Sequence, residues 1–224
     1  MSKPTPVEPA PVEPTTPVEM VENQLRRRGI RDQRVLNAML LIPRAEFVSA
    51  RDRHRAYTDA PIPIGYGQTI TQPYMTALMA QSLKLDGSEK VLDVGTGSGY
   101  HAAVLGRLAR LVISVERIPK LAVLARANLD RAGGRENITV VCADGSLGYA
   151  PDAPFDAISV AAGSPEIPAA LLDQLRDPGR LVIPVGNRLC QDLYFVQKKN
   201  AQILTRMLTG CRFVPLVGQQ GWNY

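Results

Sequence analysis

Residues 91–99, VLDVGTGSG, restrict the fold more than any other stretch of the chain. An apolar run breaks into glycines at 95, 97 and 99, and the residues that follow, YHAAVLG, take helical spacing. Glycine in such a turn lets the backbone adopt positive φ and approach a ligand closely. The same alternation continues downstream. It predicts a strand over 90–94, a helix over 98–109, a strand over 111–115, a helix over 119–132, strands over 138–142 and 155–161, a helix over 167–175 and a strand over 180–185. Strands joined through helices require crossover connections, which gives an α/β fold with a doubly wound, mostly parallel sheet covered on both faces. The C-terminal part departs from this pattern. There YFVQKK and QILTRML, separated by Asn200, predict an antiparallel hairpin closing the sheet edge.

Ahead of the alternation the chain has two further parts. Residues 1–19 carry a drifting Pro-Val-Glu-Pro repeat, which favours extended polyproline II and predicts a disordered tail, leaving 20–224 as the folded domain. From Met20, Val21 and Leu25 give way to Asp32 as an N-cap before Val35, Leu36, Met39 and Leu40 at helical spacing, and Pro43 stops that helix. Residues 56–72, AYTDAPIPIGYGQTITQ, hold too much Gly and Pro for a helix and read as a long irregular loop of the kind that serves function. Pro73 suits the first position of the next helix.

Several function classes fall away on composition. No apolar run approaches the roughly 20 residues that cross a bilayer, and the first residues lack the apolar stretch of a secretory signal, so the expectation is a cytoplasmic protein with no membrane partner. Cys142, Cys190 and Cys211 form no CxxC, and His54 and His101 stand far apart, which leaves no metal site and no disulfide framework. The net charge is +5, and because Lys3 faces Glu8, Glu13 and Glu19 in the tail, the rest of the chain carries about +7. Much of it sits in Arg26, Arg27, Arg28, Arg31 and Arg34, followed by Arg44, Arg51, Arg53 and Arg55. These arginines interleave with a helical apolar pattern, and no aromatic residues accompany the first cluster. They read as a solvated helix face, and no nucleic-acid partner is expected.

The glycine turn is not a dinucleotide fingerprint, because its third glycine is Gly99 and Tyr100 fills a position where such helices want a small residue. No GxxxxGK[ST] is present, which disfavours a nucleotide triphosphatase. Two acids follow at strand ends: Glu116 after 111–115, placed to accept ribose hydroxyls as a nicotinamide fold would also place it, and Asp144-Gly145 after 138–142. An acid before Gly95-x-Gly97-x-Gly99 resembles motif I of the class I S-adenosylmethionine-dependent methyltransferases. That resemblance implies S-adenosyl-L-methionine as cofactor, held by Asp93, Gly95, Thr96, Gly97, Ser98, Glu116, Asp144 and Gly145.

The loop IPIGYGQTITQPYM, residues 62–75, resembles the substrate loop of the protein-L-isoaspartate O-methyltransferases, and matching segments run in order from Met20 to Trp222, ending in RFVPLVGQQGW. The family moves a methyl group to the α-carboxylate freed when asparagine deamidates or aspartate isomerises. The ester then closes to a succinimide, whose hydrolysis returns some normal aspartate. The resemblance therefore implies isoaspartyl-containing peptides and proteins as partners, Thr71 as the catalytic residue in place of the family's serine, and Ile64, Gln68, Thr69 and Val214 as substrate contacts. A carboxylate acceptor is already ionised at pH 7, so the site needs no base, and His101 is expected to be a packing or surface residue. Where the family commonly reads VTAA after the fourth strand, this chain has Val160, Ala161, Ala162 and Gly163 and lacks the threonine hydroxyl. Two other readings stay open on sequence: a class I methyltransferase acting on a different carboxylate or a small molecule, and a non-catalytic interaction module. The intact acids and glycines count against the second.

Overall fold

The computed structural model describes residues 13–133 and 136–223. Helix α1 (Pro17–Glu19) runs directly into a π-helical segment, Met20–Arg26, and α2 (Gln33–Leu41) follows. Asp32 caps α2 as its position predicts, its carboxylate accepting the Arg34 and Val35 N–H groups at 2.9 and 3.4 Å. The helix ends ahead of Pro43, because the residue before a proline is forced out of the helical region. α1 begins inside the stretch read as tail. Its start is a capping box: the Glu19 N–H donates to the Thr16 hydroxyl at 3.2 Å, and the Thr16 N–H donates back to the Glu19 carboxylate at 3.1 Å. Residues 1–12 of the expected tail lie outside the described residues.

The loop over 56–72 contains a small antiparallel hairpin, β1 (Ile62–Gly65) and β2 (Gln68–Ile70). Gly65, Tyr66 and Gly67 turn it, with φ of 93°, 54° and 69°. Strands this short, one of them interrupted by Pro63, leave no alternation for a sequence reading to detect. α3 (Pro73–Ser82) then starts on Pro73 at its first turn.

The alternating region gives β3 (Lys90–Val94), α4 (Tyr100–Gly106), β4 (Leu111–Glu116), α5 (Pro119–Arg131), β5 (Ile138–Cys142), β6 (Phe155–Val160), α6 (Ala169–Gln174) and β7 (Leu175–Gly186), followed by β8 (Gln191–Lys199) and β9 (Gln202–Cys211). They form one seven-stranded sheet in the order β5-β4-β3-β6-β7-β8-β9, parallel through β7 and antiparallel beyond it. The sheet is doubly covered because its central strands are apolar on both faces. Val91, Val112 and Ala157 point into a core shared with the N-terminal helices, while their neighbours Leu92, Ile113 and Ile158 point into a second core with Phe155 and Leu171. Burying each such Leu, Ile or Val contributes about 1.5–3 kcal/mol. α4 and α6 are shorter than their apolar spacing suggests, and β7 begins five residues before the predicted 180. The β8–β9 turn is a two-residue one in which Asn200 and Ala201 both have positive φ, 53° and 59°. Asp177 holds it by accepting both backbone N–H groups, at 2.9 and 2.6 Å.

Chain order reverses at β3, with β4 on one side and β6 on the other, so the carboxyl ends of these strands open a crevice at the point where α/β sheets bind ligands. Among the described residues no helix is long and apolar enough to cross a membrane.

Candidate active site

The glycine turn after β3 is built as its sequence requires. Gly95, Gly97 and Gly99 have φ of 92°, 55° and 93°. The Gly95 and Thr96 N–H groups both donate to the Val115 carbonyl, at 2.9 and 3.2 Å, which ties the turn to the end of β4. A Cβ on Gly97 would lie 3.2 Å from Ile64 Cδ1, and one on Gly99 the same distance from the Ala125 carbonyl oxygen. Glu116, nearly buried, braces the turn: Oε2 accepts the Gly97 N–H at 2.8 Å and Oε1 accepts the Ile118 N–H at 2.9 Å. Each oxygen retains a second acceptor site.

Above the turn lies a cleft lined by, among others, Gly95, Gly97, Glu116, Ile118, Gly145 and Val217. Bare glycine backbone on one wall, a carboxylate at the second strand end and apolar side chains around them fit a ribose-bearing cofactor. Side chains at 95 or 97 would be strained by the positive φ and would narrow the cradle.

Asp93 and Asp144 do not line this cleft. Asp93 is fully buried. Its Oδ2 accepts the Ser114 hydroxyl at 2.7 Å, and the Ser114 Oγ lies 2.6 Å from Thr96 Oγ1, so the acid supports the turn through a relay of two hydroxyls. Thr96 and Ser98 are likewise turned inward, bordering a small chamber behind the turn with Thr71, Thr76 and His101. Asp144 faces the C-terminal segment: Oδ1 accepts the Ser146 N–H and hydroxyl at 2.9 and 2.7 Å, and Oδ2 accepts the Gln219 N–H at 2.8 Å. A Cβ on Gly218 would lie 2.0 Å from Asp144 Oδ1, so the backbone is pressed onto the acid. Asp144 thereby fixes the segment whose residues Val214–Val217 form a wall of the cleft.

Burial pushes the Asp93 carboxyl up to about 7, with Ser114 pulling the other way, and its Oδ1 has no hydrogen-bond partner. A folded-state value above the unfolded one means that the folded chain holds an extra proton between about pH 4 and 7, so stability falls as pH rises through that window. Asp93→Asn is therefore expected to stabilise the protein above pH 7, by up to about 4 kcal/mol, with little gain near pH 4. Urea melts at the two pH values check this. A gain of equal size at both would show that ionisation of Asp93 is not the cause.

A second cleft adjoins the first and is lined by Thr71, Gln72, Tyr74, Arg28 and Arg212 among others. Thr69, Ala161 and Val214 line both clefts and so mark their junction. Gln68 borders the first cleft, its Nε2 donating to the Tyr66 carbonyl at 3.2 Å. Ile64 lies outside both and closes over Gly97 from the hairpin side. The Thr71 carbonyl accepts Arg44 Nη2 at 2.8 Å, while no described residue hydrogen-bonds its hydroxyl. Arg44 is wholly buried. Its Nε donates to the Ala56 carbonyl at 2.7 Å, and its guanidinium lies 4.7 Å from the centroid of the Tyr100 ring. Sequence reading missed this residue, because an arginine in IPRAEF carries no local sign of burial.

His101 Nε2 lies 2.9 Å from Ser159 Oγ, and burial pushes its pKa down to about 4. It is neutral at pH 7 and packed in the core, not on the surface. Among the described residues no group of three or more His, Cys, Asp or Glu side chains is arranged to hold a metal ion.

Residues 16–221 match the family model for protein-L-isoaspartate(D-aspartate) O-methyltransferase. A protein-L-isoaspartate O-methyltransferase of Methanoculleus marisnigri is 55% identical over 205 residues, covering 92% of this chain and 93% of its own. One of Koribacter versatilis is 52% identical over 204 residues, covering 91% of each. Among solved structures, a Plasmodium falciparum protein-L-isoaspartate O-methyltransferase in complex with S-adenosyl-L-homocysteine superposes with a TM-score of 0.77 at 30% identity, covering 90% of this chain and 98% of that one. The agreement extends from the N-terminal helices through the glycine cradle to the segment docked on Asp144, and the chain belongs to the protein-L-isoaspartate(D-aspartate) O-methyltransferase family of S-adenosyl-L-methionine-dependent enzymes.

Proposed function

We infer that this chain methylates the free α-carboxylate of L-isoaspartyl residues in damaged proteins, with Gly95, Gly97, Glu116 and Gly145 holding the cofactor and Thr71 orienting the acceptor. The observation that carries this assignment of roles is the junction: Thr69, Ala161 and Val214 line the cleft at the glycine turn and the cleft at Thr71 alike. S-adenosyl-L-methionine, when bound, supplies an electrophilic sulfonium methyl group. Glu116 has acceptor capacity left for ribose hydroxyls, and the Thr71 hydroxyl is free to donate to a carboxylate oxygen. Asp93 and Asp144 act behind the wall, one on the turn and one on the C-terminal segment.

No proton has to be removed from the acceptor, which is ionised at pH 7. That suits a site whose nearby histidine is neutral and buried. The protein's contribution is to hold the acceptor oxygen in place and exclude water, and positioning of this kind contributes about 7–11 kcal/mol in the best-oriented intramolecular reactions. The free thiols of Cys142, Cys190 and Cys211, two of them exposed, suit a reducing compartment and support a cytoplasmic setting.

The test is radiolabelled methyl transfer to an isoaspartyl peptide and its aspartyl twin. Base-labile label on the isoaspartyl peptide alone is expected. Binding of S-adenosyl-L-homocysteine with label on neither peptide would redirect the site to another acceptor.

A further inference from the structure

We propose that the acceptor cleft selects isoaspartyl sites flanked by negative charge, with Arg28 and Arg212 recognising a carboxylate close to the damaged residue. This rests on the methyl-transfer reading of the site.

The arginine run of residues 26–34 reads in sequence as one solvated helix face, and the structure divides it. Arg26 bonds Glu22 and Gln33, Arg31 donates to the Arg26 carbonyl, and Arg34 donates to the carbonyls of Leu85 and Leu108. Arg28 instead reaches the cleft wall beside Thr71. There its guanidinium lies 3.5 Å from the centroid of the Tyr74 ring and pairs with Asp59. Asp59 also accepts the Tyr74 N–H at 2.9 Å, so ring, acid and guanidinium fix one another. An arginine held this way loses little freedom when it binds a ligand.

Arg212 lines the same cleft from the segment after β9 and is exposed. No described acid forms an ion pair with it. No Asp or Glu is among the described residues that line the cleft. Asp192 lies close to Gly210, where a Cβ would be 3.9 Å from its Oδ1. Asp59 pairs with Arg28, and Arg212 is the cleft guanidinium with which no described acid pairs. Guanidinium is the side chain best matched to a planar carboxylate, which it binds through paired N–H donors. Every isoaspartyl peptide brings the acceptor carboxylate, so discrimination appears in the groups on either side of it. The source is an Asp or Glu side chain or a chain-terminal carboxylate.

The experiment compares kcat/KM for C-terminally amidated isoaspartyl peptides that differ only in one flanking residue, Glu, Gln or Lys, placed before or after the isoaspartyl residue. A Gln peptide with a free C-terminus is added. The full-length protein is expected to rank Glu above Gln above Lys, with an overall spread of about three- to tenfold at low salt, shrinking at high salt. Arg212→Gln should compress the spread, and Arg212→Lys should keep most of it. A preference confined to the free C-terminus would assign the guanidiniums to a chain-terminal carboxylate, within the same chemistry. Equal kcat/KM for all peptides, or a ranking unchanged in Arg212→Gln, overturns the proposal. Failure to label any isoaspartyl peptide overturns the activity itself, which keeps the two outcomes apart.

Discussion

Glu116→Ala is expected to weaken binding of S-adenosyl-L-homocysteine by about a hundredfold or more while leaving the peptide KM within about threefold. Two losses combine. The carboxylate no longer accepts from ribose hydroxyls, and charge-assisted hydrogen bonds of that kind are worth about 1.5–3 kcal/mol each. The Gly97 and Ile118 N–H groups, which Glu116 accepts at 2.8 and 2.9 Å, also lose their acceptor at the rim of the cleft. The second effect loosens the glycine turn, whose other ties run to the Val115 carbonyl. Calorimetry measures the affinity, and a circular dichroism spectrum matching the parent shows that the sheet is intact. Unchanged affinity would remove Glu116 from the cofactor site.

Thr71→Ala should lower kcat/KM by roughly tenfold to a hundredfold, the loss of one hydrogen bond to a charged acceptor, whereas Thr71→Ser should stay within about threefold of the parent. The structure makes this contrast clean. Arg44 holds the Thr71 carbonyl at 2.8 Å, a backbone contact that both substitutions keep, so the loop stays anchored in each. Both also remove the γ-methyl group of the β-branched side chain. Only the hydroxyl then separates the two variants. Steady-state assays on one isoaspartyl peptide settle the matter: if Ala and Ser behave alike in folded, cofactor-binding protein, Thr71 is a loop residue without a part in the chemistry.

The architecture was legible in sequence wherever the physics is local. Apolar runs such as Val91–Leu92 and Val112–Ile113 put alternate residues on opposite faces, and when both faces are apolar a strand must be covered on both sides. Glycines at 95, 97 and 99 announced positive φ, and all three have it. Asp32 and Pro73 marked helix starts through capping and fixed φ, again within a few residues. The β1–β2 hairpin was not legible, because its strands are too short to carry a period and Pro63 interrupts one of them.

The cofactor and the acceptor family were also readable from motifs along the chain, since the residues that shape the turn and the substrate loop are contiguous. Which side chains face the clefts was decided only in three dimensions. Asp93 stands opposite Ser114 in the β3–β4 register, so its carboxylate is drawn into the sheet and toward the Thr96 relay. Asp144 finds its partner in Gln219, which folds back across the carboxyl end of the sheet. Arg44 is buried because two carbonyls and the Tyr100 ring converge on it, and Arg28 leaves its helical neighbours for Tyr74 and Asp59. The strands of the main sheet, the glycine turn and the acids at strand ends follow from local sequence, because backbone conformation and burial there depend on neighbouring residues. The tertiary structure alone decided where those acids and arginines point, because the orientation of a charged side chain is set by partners that lie tens of residues away.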